Sequence, residues 1–153
     1  MVKTVLIVGL GSIGQRYARL LRKIYGNKIE LLALRERGFN FSINEDFSIK
    51  KINPEKKYNI KSFYNISKLK NKNISHAFIC TPPSKHISDV IKILKFCCPK
   101  ILIEKPITHD YTQLEKLKQK KYSSFHKNIF VSQQLRYSPL AEKLKSVLNK
   151  NTI

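Results

Sequence analysis

Cysteine is scarce: Cys80, Cys97 and Cys98 are the only three in 153 residues. Three clustered thiols cannot build a disulfide scaffold, so the sequence predicts a reduced, cytoplasmic protein. Long apolar runs are also missing. Residues 4–10 form one of the longest, far short of the roughly 20 that a membrane span needs. Met1-Val2-Lys3-Thr4 leads straight into a strand-like run, with no secretory leader ahead of it. Acids are few, ten Asp and Glu against thirty Lys and Arg, which leaves a net charge of +20. Such a charge suggests a polyanion. Yet 24 of those cations are Lys and only six are Arg, whereas phosphate and base readout favour the Arg fork. The lysines are scattered through every segment, and Ile (19) and Asn (11) are abundant beside them, as AT-rich coding produces. The expectation is therefore no specific nucleic-acid partner and no membrane partner, with weak non-specific phosphate attraction as the competing reading.

Enough apolar surface remains for a core. Hydrophobic residues make up 42% of the chain and aromatics 10%, which excludes wholesale disorder. The length is that of one domain. Strand-like and helix-like patterns alternate along it. Residues 2–8 are nearly continuous apolar sequence, as in a parallel strand buried on both faces. Ile13, Tyr17, Leu20, Leu21 and Ile24 then recur at helical spacing, and Gly26 is placed to end that helix. Further strands are predicted over 29–34, 77–80, 101–103 and 129–131. Ser84 can cap a helix whose inner face is Ile87, Val90, Ile91 and Leu94, with Cys97-Cys98 at its end as a core pair. Residues 110–121 read as helical. A final helix has Ser138 as N-cap, Pro139 at its first position, and a stripe of Leu140, Leu144, Val147 and Leu148. This alternation implies an α/β fold of the Rossmann type, doubly wound, with a mainly parallel sheet and helices on both faces. Residues 39–64 fit least well. Phe39, Phe41 and Ile43, then Phe47 and Ile49, alternate with polar residues around Asn44-Glu45-Asp46, as a hairpin or a long surface loop would.

The only dense group of the five glycines follows the first strand: Gly9-Leu10-Gly11-Ser12-Ile13-Gly14. Gly9 permits the tight turn, Gly11 lets the backbone approach a pyrophosphate, and Gly14 lets helix and strand pack closely. The amides of Gly11, Ser12 and Ile13 lie at a helix N-terminus, where they attract negative charge. This predicts a dinucleotide site. An acid usually stands about 20 residues further on to take the ribose 2′-hydroxyl. Here that position is Arg35, followed by Glu36 and Arg37. Arginines there would pair with a 2′-phosphate and tilt the expectation to NADP, while Glu36 would suit NAD.

Three further segments join the glycine turn in resembling the Gfo/Idh/MocA oxidoreductase family. Cys80-Thr81-Pro82-Pro83-Ser84-Lys85-His86 resembles its T-P-x-x-x-H segment, and Ile103-Glu104-Lys105-Pro106-Ile107 its E-K-P signature. Gln134-Leu135-Arg136-Tyr137-Ser138-Pro139 is similar to its N/Q-R-R-F-x-P segment. The resemblance implies a dinucleotide-binding domain over residues 1–132, with 133–153 starting the crossover to a substrate domain that the chain does not contain. It also implies hydride transfer between a nicotinamide cofactor and a sugar, sugar nucleotide or polyol, and a homo-oligomer. The family's later Asp and His catalytic positions have no counterpart here, so the chain by itself is expected to be inactive.

The same resemblance assigns roles. Lys105, at a strand's C-terminal end, would bind substrate, stabilise a developing alkoxide and share in proton transfer. Glu104 would orient Lys105 or cap backbone amides, and Pro106 would form a rigid turn. Cys80, Thr81, Pro82 and Pro83 would line the nicotinamide edge, with His86 on cofactor or substrate hydroxyls. Arg136 would hold an anionic substrate group. The four histidines (76, 86, 109, 126) have no metal-ligand spacing, so no metal is expected. A stand-alone, non-catalytic nucleotide-binding module remains the alternative.

Overall fold

The apolar runs become strands because each is long enough to pair and apolar enough to be covered on both sides. The computed structural model describes residues 3–38, 40–96 and 99–151, the side chains of 149–151 excepted. In chain order the elements are β1 (Lys3–Val8), α1 (Ser12–Tyr25), β2 (Ile29–Leu34), β3 (Ser42–Ile43), β4 (Ile49–Lys50), α2 (Pro54–Lys57), β5 (Ile60–Phe63), β6 (Ile74–Ile79), α3 (His86–Phe96), β7 (Lys100–Ile103), α4 (Tyr111–Lys118), β8 (Ile129–Val131) and α5 (Pro139–Asn151). Six strands form one sheet in the order β5-β2-β1-β6-β7-β8. Every pairing in it is parallel. The chain reverses direction of growth between β1 and β6, the switch point at which open α/β sheets bind ligands.

Alternation along the strands divides the core. Leu6 and Val8 join Ala77, Ile79, Ile101 and Ile103 beneath Ile87, Val90, Ile93 and Leu94 of α3. Val5 and Ile7 join Leu31, Ala33 and Ile60 beneath Ala18 of α1. Helices therefore cover both faces. Strand ends are level, with Val8 opposite both Leu34 and Ile79, Ile79 opposite Ile103, and Ile103 opposite Val131. The ladder runs one residue further: Gly9 N–H donates to Leu34 O, Cys80 to Val8 O, Glu104 to Ile79 O and Ser132 to Ile103 O. Gly9, Arg35, Cys80, Glu104 and Ser132 thus share one edge of the sheet.

Gly26 ends α1 at φ 54°, its N–H on Arg22 O. At α5, the Ser138 hydroxyl accepts from Ala141 N–H at 3.1 Å, a side-chain cap ahead of Pro139. Three elements differ from the expectation. β6 starts at Ile74, α4 ends at Lys118, and a 3₁₀ segment (Lys120–Asn128) follows α4. α3 begins at His86, two residues past Ser84. Residues 39–64 hold both a hairpin and a strand of the main sheet. β3 and β4 pair antiparallel, and β5 then runs parallel to β2 as an edge strand. Val2, Phe39, Cys97 and Cys98 lie outside the described residues. Among those described, no helix is long and apolar enough to cross a membrane.

Candidate functional site

The level strand ends leave a cleft of about 870 Å³ at the switch point, within the size range of small-molecule sites. One wall is the glycine turn. Gly9 has φ +86°, and a Cβ there would lie 3.0 Å from Cys80 O. A Cβ on Gly14 would lie 2.1 Å from Gly9 O, so only glycine lets α1 pack this close to β1. A Cβ on Gly11 would meet nothing within 4 Å. Gly11 is instead the open part of the cradle, and it caps α1 without a side-chain bond and with no acid in the first turn. The first turn carries no acid of its own, and Gly11, Ser12 and Ile13 line the cleft, so their backbone amides form a donor set that fits a pyrophosphate.

The opposite wall comes from the segment after β6. Cys80, Thr81 and Pro82 line the cleft, as do Ser12, Ile13, Arg35, Glu36 and Arg37. Thr81 donates its hydroxyl to Asp89 at 2.8 Å. Burial, and then Glu104, push the Cys80 thiol far above its ordinary value, which makes it an apolar wall residue rather than a nucleophile.

Several expected residues stand elsewhere. Arg35 contributes to the cleft wall, but its side chain is only 2% exposed and is ion-paired with Glu55 of α2. His86 is buried, with Nδ1 2.9 Å from Pro106 O and Nε2 2.7 Å from Thr81 O. Both ring nitrogens lie against backbone carbonyls, so His86 sits between the two loops instead of facing a cofactor. Pro83 sits in the turn that starts α3, its carbonyl accepting from His86 N–H. Glu104 is buried and accepts from the Tyr17 hydroxyl of α1, which also lies 3.3 Å from the Ser132 hydroxyl. The carboxylate is thereby turned toward α1 rather than toward Lys105. Lys105 and Pro106 are exposed beyond the cleft lining, and the bond between them is cis. Arg136 is exposed on a 3₁₀ turn (Gln134–Tyr137), also off the cleft.

Other lining residues went unread in the sequence. Lys85, Asp89 and Lys92 line the cleft from α3 and its entry. Their spacing of four and three is a helical face, a signal present inside and just after the T-P-P-S-K-H segment. Tyr64 and Ile66 line it from the loop after β5, and were missed because β5 itself was.

A family model described as an oxidoreductase family with an NAD-binding Rossmann fold matches residues 3–124. The chain belongs to the Gfo/Idh/MocA oxidoreductase family. Residues 3–124 are its NAD-binding Rossmann domain. Solved dehydrogenase structures share the fold. The myo-inositol dehydrogenase of Lactobacillus casei, in complex with NAD(H) and myo-inositol, superposes with a TM-score of 0.76 at 20% identity, over 100% of this chain and 43% of that one. A myo-inositol dehydrogenase from Corynebacterium glutamicum gives 0.74 at 17%, over 98% and 42%. The WlbA dehydrogenase from Chromobacterium violaceum, in complex with NADH and UDP-GlcNAcA, gives 0.71 at 16%, over 97% and 40%. The chain spans about two fifths of the length of each. No curated protein matches it.

Proposed function

We propose that the chain is the cofactor-binding part of an NAD(P)-dependent oxidoreductase acting on a sugar, sugar nucleotide or polyol in the cytoplasm, with residues 133–153 leading toward a substrate domain. The observation that carries this is the open cradle at Gly11, at a helix N-terminus with no acid in its first turn and at the switch point of the sheet. Gly11, Ser12 and Ile13 hold the pyrophosphate, and Thr81 and Pro82 line the nicotinamide half. The bound nicotinamide supplies a two-electron hydride donor or acceptor. Lys105 follows β7 at the same sheet edge. There its amino group hydrogen-bonds the reacting oxygen, accepting the hydroxyl proton as the neutral amine in oxidation and returning it as the ammonium in reduction. Arg136 receives an anionic substrate group. NADP(H) is favoured modestly over NAD(H), because Arg37, Lys85 and Lys92 surround Glu36 at the ribose end.

Fluorescence titration with NADH and NADPH, repeated with excess duplex DNA at physiological salt, tests this reading. Saturable dinucleotide binding that DNA does not displace is expected. Binding of DNA alone, lost as salt rises, would instead identify the chain as a polyanion binder.

A further inference from the structure

We infer that Lys85, working with Glu36, reads the ribose 2′-position of the dinucleotide. This rests on the cleft holding a dinucleotide and assigns its selectivity to a residue outside the usual strand-end position. Arg35 occupies that position, but its guanidinium is buried against Glu55. Reaching a 2′-phosphate would require it to leave a buried ion pair, and breaking such pairs is strongly unfavourable. The neighbouring Glu36 faces the other way. Its side chain is 75% exposed, it lines the cleft, and Lys85 Nζ sits 2.5 and 2.6 Å from its two carboxylate oxygens. The pair bridges the cleft from the end of β2 to the entry of α3.

Arg37 and Lys92 line the same end. Lys85 chiefly, with Lys92 and Arg37 adding, holds the Glu36 carboxyl below its ordinary range. On α3, Asp89 is engaged by Thr81 and Lys92. Three cations therefore face two acids, and the one acid turned to the ribose end is Glu36. Its partner is already in place, so each cofactor meets one half of the pair. A ribose diol donates to the Glu36 carboxylate and leaves Lys85 solvated. A 2′-phosphate is repelled by Glu36 and replaces it on Lys85, exchanging a monoanion for a more highly charged one. The local cation excess makes the second exchange the better one, and it gives NADPH its margin.

The test is the ratio of NADH to NADPH dissociation constants, measured by titrating the 153-residue chain at fixed salt. The parent should bind NADPH several-fold more tightly. One charge-assisted contact corresponds to about 10- to 100-fold in affinity. Lys85→Gln should weaken NADPH by about that factor and leave NADH within about threefold. Lys85→Arg should restore NADPH binding. Glu36→Gln should weaken NADH while NADPH holds or tightens. Glu36, Arg37 and Lys85 are exposed or half-buried, and a thermal melt checks that each variant folds. An unchanged ratio in Lys85→Gln, with both cofactors still bound, overturns the inference and leaves the dinucleotide site standing. The same holds if Arg37→Gln shifts the ratio and Lys85→Gln does not. Failure of the parent to bind either cofactor overturns both.

Discussion

Gly11 and Gly14 do different work within one turn. Gly14 packs backbone on backbone, because its Cβ would fall 2.1 Å from Gly9 O. Gly14→Ala should therefore cost about 1–3 kcal/mol by overpacking, read as a lower urea midpoint. Gly11→Val puts its side chain into open space and should lower stability by no more than about 1 kcal/mol, the scale of a helix-cap change. Tyr17 tests a second residue-scale claim. Burial first, then Glu104, pushes its hydroxyl well above the ordinary value of 10.0. The fold thus favours the neutral phenol. Its contribution is complete below pH 10 and is lost as pH rises past that point. Tyr17→Phe should cost about 1–3 kcal/mol near neutral pH, since buried Glu104 loses a donor. It should also flatten the fall of unfolding free energy with pH above about 10. An identical alkaline slope in parent and variant would remove Tyr17 from this role. The packing roles of Gly9 and Gly14 were legible because each follows from spacing alone. The Tyr17–Glu104 bond was not, because it joins positions 87 apart in sequence through the pairing of β1 with β6 and β6 with β7.

At the scale of elements, continuous apolar runs and capped helices were legible, and an edge strand was not. β1 and β2 carry their patterns in full, and Ser138-Pro139 announces α5. α1 forms where its spacing predicts, but its buried face is Gly14, Gln15 and Ala18, while Ile13, Tyr17 and Leu21 are half-buried and Leu20 and Ile24 exposed. β5 reads Ile-Lys-Ser-Phe, half polar because it lies at the margin of the sheet, and a hairpin and a four-residue helix replace the long crossover helix that would have flagged it. Losing β5 also lost the cleft wall at Tyr64 and Ile66. Arg35 was misjudged for a related reason. α2 begins at Pro54 with Asn53 as its cap, and it brings Glu55 to a residue 20 positions earlier. α5 was read correctly as amphipathic, and Leu140, Leu144, Val147 and Leu148 are all exposed on it. An exposed apolar stripe of this kind promotes association. The chain alone should show concentration-dependent light scattering that Leu144→Glu reduces. Monomeric behaviour at all concentrations would contradict this.

For the whole molecule, the strand order places the glycine turn, the Thr81-Pro82 wall and the Glu104-Lys105 turn on one sheet edge. The proposed cofactor-binding residues are therefore brought to one cleft, while Lys105 and Arg136 lie outside it. Positioning of substrate against cofactor contributes roughly 7–11 kcal/mol to lowering a barrier. Residues 1–153 by themselves should accordingly bind dinucleotide yet show no enzymatic turnover of polyols, sugars or sugar nucleotides. Robust turnover by this chain, abolished in Lys105→Ala, would contradict that and show a complete site formed within it. The net charge of +20 names no partner by itself. At the cleft it amounts to Arg35, Arg37, Lys85 and Lys92, and only the structure shows that these line it.

The central claim is that the glycine turn is a dinucleotide cradle. Its most direct test compares parent and Gly11→Val by NADPH titration and by urea unfolding on the same samples. The account predicts saturable binding in the parent and at least about a 100-fold loss in the variant, close to 3 kcal/mol, with the unfolding midpoint nearly unchanged. Equal binding by a folded Gly11→Val chain would contradict it.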